Sequence, residues 1–378
     1  MIPEKPPPFW PKISERVRHE AVTARVGRIL GIAFTLCFFT GLYSHYQYHP
    51  TTVVPIPSLP SWGYRLTQGI HVITGMVCIP LILIKLWSVY PKLFSWPPFK
   101  TMLQGLERLS ILVLISASLV ELTTGFLNIL GWYPWPWAFI KVHYWLAFVI
   151  IGSIMLHVAV KLPIIKRGLA TPLSDVPEQD PEVGGITRRG VLVAGGVGAG
   201  IVTLGTVGQV VTPLQPVSVL SVRQPKNGPL GVAINITAKQ AGVVKLAQAA
   251  DYRFEVMGPK PFMLTLTELE ALETEEKALP IACVEGWSAM GHWTGPRLLD
   301  LVKRAGGNGD SHVHVLSVQK AGPDHDSKIF GPQMRAALLA THLNGVRLPL
   351  DHGYPLRLIA PNRSGALQTK WVSRLEVT

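Results

Sequence analysis

LPIACVEGWSAMGHWTG, residues 279–295, holds Cys283, one of three cysteines in a chain of 378 residues. The other two, Cys37 and Cys78, lie in long apolar runs far upstream. By residue type three roles are open to Cys283. It could be a buried thiol acting as a small hydrophobe. It could be a nucleophile with His292 as its base. It could be a soft thiolate ligand for a redox-active transition metal. The residues that follow it are apolar and aromatic, with Glu285 the carboxylate among them.

Upstream the composition changes. A membrane span needs roughly 20 mainly apolar residues, and four runs qualify: 27–46, 67–90, 107–130 and 139–162. A fifth, glycine-rich run covers 190–212. The division expected is a cytoplasmic segment 1–26, a four-helix membrane domain 27–165, a cytoplasmic linker 166–189, a fifth membrane helix 190–212 and a soluble domain 213–378. The net charge is +12, of which residues 1–212 carry +8 (17 Lys and Arg against 9 Asp and Glu). That excess flanks the apolar runs, so it points to lipid rather than to nucleic acid. Lys12, Arg16, Arg18, Arg25 and Arg28 precede the first run, Lys92, Lys100 and Arg108 separate the second and third, and Lys166, Arg167, Arg188 and Arg189 follow the fourth. The intervening loops offer only Arg65 and Lys141. The positive-inside rule then places the N-terminus in the cytoplasm and the C-terminal domain outside a bacterial cytoplasmic membrane. Arg188 and Arg189 before a mildly apolar run also resemble a twin-arginine export signal, the alternative being an ordinary last span. With no small-x-small site after it, this helix is expected to remain as an anchor.

Ionisable residues inside spans are costly and commonly functional. The second run holds His71 and the fourth, KVHYWLAFVIIGSIMLHVAVKL (141–162), holds His143 and His157. Fourteen residues of helix fall about 40° short of four full turns, so His143 and His157 share a face about 21 Å apart along the axis. Imidazole suits iron. The second and fourth spans run parallel, which makes His71 and His143 the natural axial pair for one b-type haem. Gly75, Gly125 and Gly152 leave room for a flat macrocycle. This segment resembles the four-helix membrane b-type cytochromes that couple quinones to redox enzymes. Where a two-haem member would offer a further histidine, the chain has Lys85. His157 is thus either a ligand of a second haem or a buried histidine bonded to another helix, and Lys85 is expected to snorkel to the inner interface. Glu121 is a further intramembrane charge, a candidate for proton or quinone chemistry.

Residues 213–378 alternate short strands such as FEVMG, HVHVLSVQ and PLRLIAP with helical stretches TLTELEAL and TGPRLLDLVKRAG. The class expected is α+β. Two blocks, IACVEGWSAMGHWTGPRLLDLVKRAG and LNGVRLPLDHGYPLRLIAPNRSGALQTKWVSRLEV, resemble the molybdopterin domain of the sulfite oxidase family, closest to the branch of the periplasmic methionine-sulfoxide reductases. The resemblance implies that Cys283 supplies a thiolate to molybdenum beside the dithiolene of one molybdopterin. It places His352, Arg357 and Lys370 on the cofactor, whose terminal phosphate suits cations. Gly365 would permit close backbone approach, and Asn235, in VAINITA, is a further contact. The sulfite-oxidising branch has an arginine-rich run after its cysteine, whereas this chain has VEGWSAMGHW, which argues against sulfite. Trp287, Trp293, His292, Asp324, His325 and Asp326 are candidates for the substrate mouth.

The whole reads as a multidomain protein, an all-α transmembrane bundle of four helices plus a fifth anchor helix followed by an α+β sulfite oxidase-like molybdopterin domain. The expected function is electron exchange between a quinone pool, b-type haem and an extracytoplasmic molybdenum site, with reduction of a small-molecule or protein S-oxide, or an N-oxide. Oxidation of a small substrate with electrons leaving through haem to quinone, and a non-catalytic module of a respiratory complex, are the alternatives.

Overall fold

A computed structural model describes residues 19–175, 188–223, 228–320, 322 and 325–378. They fall into two compact units. One comprises the described residues up to Gly41 together with Ile70–Thr206; the other comprises Leu42–Gly69 and Val207–Thr378.

Among the described residues five helices are long and apolar enough to cross a membrane: α1 (Glu20–Tyr48), α2 (Gly63–Leu93), α3 (Met102–Ile129), α4 (Phe139–Ala170) and α5 (Arg188–Val207). The first four have 28 to 32 residues. At 1.5 Å per residue they are about 42–48 Å long, against a hydrocarbon core of about 30 Å. They outrun the apolar segments that reveal them, because backbone hydrogen bonds continue a helix into polar flanks. The fifth stops earlier than the expected 212. A Cβ on Gly208 would lie 2.3 Å from Ser218 Oγ and 2.7 Å from Leu214 O, so the chain folds back on itself there. The Gly208 amide donates to Ser218 Oγ at 2.6 Å.

Within the first unit, polar residues tie the helices at their ends. Arg25 of α1 donates to Gly168 O at 3.1 Å and Thr171 O at 2.9 Å, satisfying terminal carbonyls of α4. Gly168 is required at that crossing, since a Cβ would stand 2.7 Å from Glu20 O. Lys85 donates to Thr23 O at 2.9 Å. Ala33, Phe34, Cys78, Ile82, Ala117, Leu122 and Ile150 pack between the helices.

The second unit is built on sheets, as an α+β domain should be. Strands β1 (Arg253–Met257), β2 (Phe262–Thr265), β5 (Val313–Ser317), β6 (Asp326–Ile329) and β11 (Val372–Val377) form a sheet of order β2-β1-β11-β5-β6. Only β1 and β11 run parallel in it. Alternating residues such as Phe254, Val256, Val313, Val315, Leu375 and Val377 face its core with Leu298, Leu301 and Val302 of the helix Leu298–Arg304. A second sheet has the order β3 (Glu275–Ala282), β4 (Ser288–Gly295), β8 (His342–Leu343), β9 (Val346–Arg347). Strand β10 (Arg357–Ile359) pairs with β7 (Leu338–Ala340). Between these lie Leu279, Ile281, Trp287, Trp293, Leu343 and Ile359.

Residues 42–69, the ends of α1 and α2 with their connection, belong to this second unit. Asn362 holds them. Its φ of 51° is left-handed, a conformation asparagine tolerates better than most residues. Its amide donates to Ser61 O at 2.9 Å and its Nδ2 to Pro57 O at 2.8 Å, while its carbonyl accepts from Gln47 Nε2 at 3.0 Å and Gln333 Nε2 at 2.6 Å. A Cβ on Gly63 would come within 2.7 Å of Asn362 Oδ1. Asn362→Ala should therefore destabilise the protein by about 1–3 kcal/mol, through lost buried hydrogen bonds and a strained φ. Thermal unfolding of the detergent-solubilised protein measures this as a lower midpoint, and an unchanged midpoint would contradict the role given to Asn362.

Candidate functional site

Cys283 stands at the tip of the β3–β4 hairpin. The last pair of the ladder is Ala282 with Ser288. The Cys283 amide donates to Trp287 O at 2.9 Å, and its carbonyl accepts from Gly286 at 3.0 Å. Gly286 has φ 87°, the left-handed residue that a short hairpin loop of this kind requires. Both backbone groups of Cys283 are thus used within the turn, and the residue, 4 % exposed, lines a cavity.

That cavity gathers Asn235, Cys283, His352, Arg357, Gly365 and Lys370, with Trp287 and Asp351. Three separate local structures deliver them. A 3-10 turn, Leu350–His352, carries His352 and ends at Gly353, whose φ is 114°. A Cβ on Gly353 would sit 3.2 Å from both Arg357 Cβ and Lys370 Cβ, so glycine lets the chain pass between the two cations. Arg357 lies on β10. Leu358 and Val372 donate to Thr369 O and Leu356 O at 2.9 Å each, which lays Lys370 alongside Arg357. The segment 229–238 closes the opposite wall. It is irregular, and the site residues themselves hold it: His352 Nε2 bonds Pro229 O at 2.9 Å, and Lys370 Nζ donates to Ile236 O. Gly365 meets Ala282 O at 3.0 Å from its notional Cβ, and Ala282 bridges Ser364, so the close approach at this glycine is to β3 itself.

Arg357 and Lys370 are 5 % and 9 % exposed. Arg357 Nη1 donates to His352 O at 3.1 Å, and Lys370 Nζ lies 4.5 Å from the Trp371 ring centre. Burial, followed by the nearby Arg357 charge, pushes His352 down to about 4, so its imidazole is neutral at physiological pH. The bond to Pro229 O assigns the proton to Nε2 and leaves Nδ1 as an acceptor. Beyond Arg357 the cavity continues past Gln319, Gln368 and Trp371. Gln368 Oε1 is buried there with no hydrogen-bond partner among the described residues. A soft thiolate, two buried cations and an open amide acceptor in one cleft suit a ligand that combines a metal, an anionic tail and N–H donors, as the molybdenum cofactor does.

Five expected residues are placed elsewhere. His292 lies on β4 with its side chain 61 % exposed, paired with Glu276 at 3.1 Å, and does not line the cavity. Glu285 does not line it either: its Oε2 accepts from the Trp287 indole at 3.1 Å and meets Arg223 Nε at 3.3 Å, which fixes the wall residue Trp287. Trp293 is a core residue whose indole donates to Leu279 O at 3.2 Å. His325 and Asp326 join His314 and Glu376 in an ion-pair cluster at the five-stranded sheet; Asp324 lies outside the described residues. Asp351, Gln319 and Gln368 line the cavity without any sequence signal that singles them out.

In the helical unit, His71 and His143 are brought together, ring centres 6.1 Å apart. His71 Nδ1 contacts Cys37 O at 2.9 Å, an orienting bond that leaves Nε2 available. His143 Nε2 meets Glu121 Oε1 at 3.2 Å, and its Nδ1 is buried with no partner among the described residues. Iron ligation through Nε2 would exchange the Glu121 contact. His157 is half-buried on α4, and Lys85 bonds Thr23 O rather than serving as a ligand at that level. Among the described residues no group of three or more His, Cys, Asp or Glu is placed to hold a metal ion.

The depressed His352 pKa has a stability consequence. Between pH 6.5 and about 4 the unfolded chain binds a proton there that the cofactor-free native state does not. Stability should therefore fall as pH drops through that window, by at most about 1.4 kcal/mol per unit from this group. Denaturation of cofactor-free wild type and His352→Gln at pH 7 and 5 tests it. The variant should show the smaller loss, and equal losses would exclude His352 as the source.

The family described as "Oxidoreductase molybdopterin binding domain" matches residues 241–378. The chain is 31 % identical over 142 residues to a protein described as protein-methionine-sulfoxide reductase subunit YedZ1 of Azospira oryzae, a match covering 36 % of this chain and 52 % of that protein. It is 30 % identical over 163 residues to the mitochondrial sulfite oxidase of Drosophila melanogaster, covering 35 % of this chain and 28 % of the oxidase. The chain thus matches about half or less of the length of these relatives. Among solved structures it is similar to the sulfane dehydrogenase SoxCD of Paracoccus pantotrophus, with 22 % identity, a TM-score of 0.31 and coverage of 34 % of this chain and 38 % of that one. The chain therefore carries a C-terminal oxidoreductase molybdopterin-binding domain, with homologues among the sulfite oxidases and a methionine-sulfoxide reductase subunit, behind helices long and apolar enough to span a membrane.

Proposed function

We propose that this protein is a membrane-anchored molybdopterin-dependent reductase, which passes electrons from a quinone pool through one b-type haem to an extracytoplasmic site that reduces an S-oxide or N-oxide. The observation that carries the reading is the convergence of Cys283, Asn235, His352, Arg357, Gly365 and Lys370 on one cavity. The similarity to a protein described as a methionine-sulfoxide reductase subunit favours the S-oxide.

When bound, the molybdenum cofactor supplies two-electron oxygen-atom transfer. The net reaction takes up two electrons and two protons per S-oxide and releases the sulfide and water. The protein's part is to bind and orient. Cys283 presents its sulfur from a turn whose backbone is already satisfied, so its position is set before any ligand arrives. Arg357 and Lys370 hold the anionic tail, and neutral His352 offers Nδ1 to an N–H donor. Trp287, anchored through its indole by Glu285, walls the cavity beside Cys283 and limits water there. His71 and His143 hold the haem in the helical unit. The N-terminus is cytoplasmic and the C-terminal domain faces outward, anchored by α5 in a bacterial cytoplasmic membrane.

A second reading is favoured by the similarity to sulfite oxidases: oxidation of a small substrate, with electrons leaving through the haem to quinone. Substrate that reduces the oxidised haem supports this direction; an S-oxide that reoxidises prereduced haem supports ours.

Two variants test the assignment. Cys283→Ser should abolish turnover, a loss of more than about a thousandfold, and leave the haem spectrum intact; retained turnover would overturn it. His143→Ala should lose the b-type signal from the reduced-minus-oxidised spectrum, and an unaltered spectrum would exclude the His71–His143 pair. Absence of molybdenum and pterin from the purified protein would favour a non-catalytic module instead.

A further inference from the structure

The unit that carries Cys283 also contains residues 42–69, the outer ends of α1 and α2. Tyr64, in the first turn of α2, is 1 % exposed although its helix begins only one residue earlier. Its hydroxyl lies 3.1 Å from Ser44 Oγ of α1. Its other neighbours are the Ser364 hydroxyl and, within electrostatic reach, the Cys283 sulfur.

Independent contacts fix this placement. Ser364 bridges Ala282, the residue before Cys283, and donates to the Tyr48 hydroxyl at 3.0 Å. Gln68 stands one turn after Tyr64, on the same helix face. It donates to Val284 O, the residue after Cys283, at 3.3 Å. Gln209, beyond α5, donates to Glu285 O at 3.0 Å, and Ser288 donates back to Gln209 O at 2.8 Å. The turn that presents Cys283 is therefore gripped on both sides by residues outside the matched molybdopterin domain, which begins at 241.

From this we propose that Tyr64 is a positioning residue for the metal-binding sulfur: the phenol, with Ser364, sets the position and polarity of the Cys283 sulfur, so that the membrane-derived segment completes the molybdenum site. The inference rests on the proposed role of Cys283 as the thiolate ligand. Hydrogen-bond donors near a ligating sulfur withdraw charge from it and alter the electronic state of the metal. A phenol held between two serine hydroxyls supplies such a dipole in a place closed to water. The second membrane helix would then serve both centres, for His71 follows Tyr64 by seven residues in the sequence.

The test uses full-length holoprotein, with metal analysis, the Mo(V) electron paramagnetic resonance spectrum and the haem spectrum as readouts. Tyr64→Phe keeps the ring and removes the hydroxyl. Ser44→Ala removes one partner of the phenol and leaves Tyr64 in place. We expect Tyr64→Phe to retain molybdenum and the haem spectrum and to shift the Mo(V) g-values, with a smaller shift in the same sense for Ser44→Ala. A wild-type Mo(V) spectrum in a fully loaded Tyr64→Phe protein would overturn the proposal. So would loss of molybdenum from Tyr64→Phe combined with a wild-type spectrum for Ser44→Ala, which would make the phenol a structural support. Failure of the underlying reading looks different: wild type without molybdenum, or Cys283→Ser with an unshifted Mo(V) spectrum.

Discussion

Two full positive charges, Arg357 and Lys370, are taken almost completely out of water beside one another in the C-terminal domain. Desolvating a cation costs several kcal/mol unless polar groups replace its water. Much of the local architecture meets that demand. The His352 and Ile236 carbonyls accept from the two side chains, and the Trp371 face lies beside the ammonium. His352 stays neutral so that no third charge is added. Gly353 has no side chain because the two cations flank it. The irregular segment 229–238 has little regular structure of its own and is held where the site residues bond to it. An anionic ligand relieves the same strain, which is why a cavity of this kind reads as a receptor for a phosphate-bearing cofactor.

The sulfur side of the cavity obeys a different constraint, that of a tight turn. Cys283 lies in a loop whose hydrogen bonds close upon themselves and whose Gly286 adopts a conformation closed to most residues. Neighbouring backbone carbonyls at Val284 and Glu285 are then capped by Gln68 and Gln209. With Asn362 binding the 57–61 connection, the second unit is assembled from chain segments far apart in sequence. The elements expected to be membrane apparatus thus supply part of the frame around the thiol.

In the helical unit, polar groups cluster at one level. His71, Cys37, Thr40, Glu121 and His143 form a connected polar patch among apolar residues. Their isolation from water makes each contact strong, and each unsatisfied atom costly. Two such atoms, His143 Nδ1 and Glu121 Oε2, are buried without a partner among the described residues.

The sequence by itself determined the elements. Apolar runs of 20 or more residues announced the five helices, because a bilayer demands that length. Alternation and turn residues announced β1, β5 and β10, because a half-buried strand has period two. It also singled out Cys283, His352, Arg357 and Lys370, through two blocks that resemble the molybdopterin domain of the sulfite oxidase family, and these four line one cavity. His292 lies apart from the cavity lining, since five residues along a strand carry a side chain about 17 Å from the turn, and nothing in the local sequence states which way the hairpin runs past the cavity. An indole such as that of Trp293 reads alike in a core and at a mouth until its N–H partner, Leu279 O, is known. Tertiary packing alone shows that Asp351 and Gln368 line the cavity, that Gly365 is small because of Ala282, and that Gln68 reaches the carbonyl of Val284. Those relations join residues as far as 216 positions apart. Local pattern encodes what a residue can do; the packing of distant segments decides what it meets.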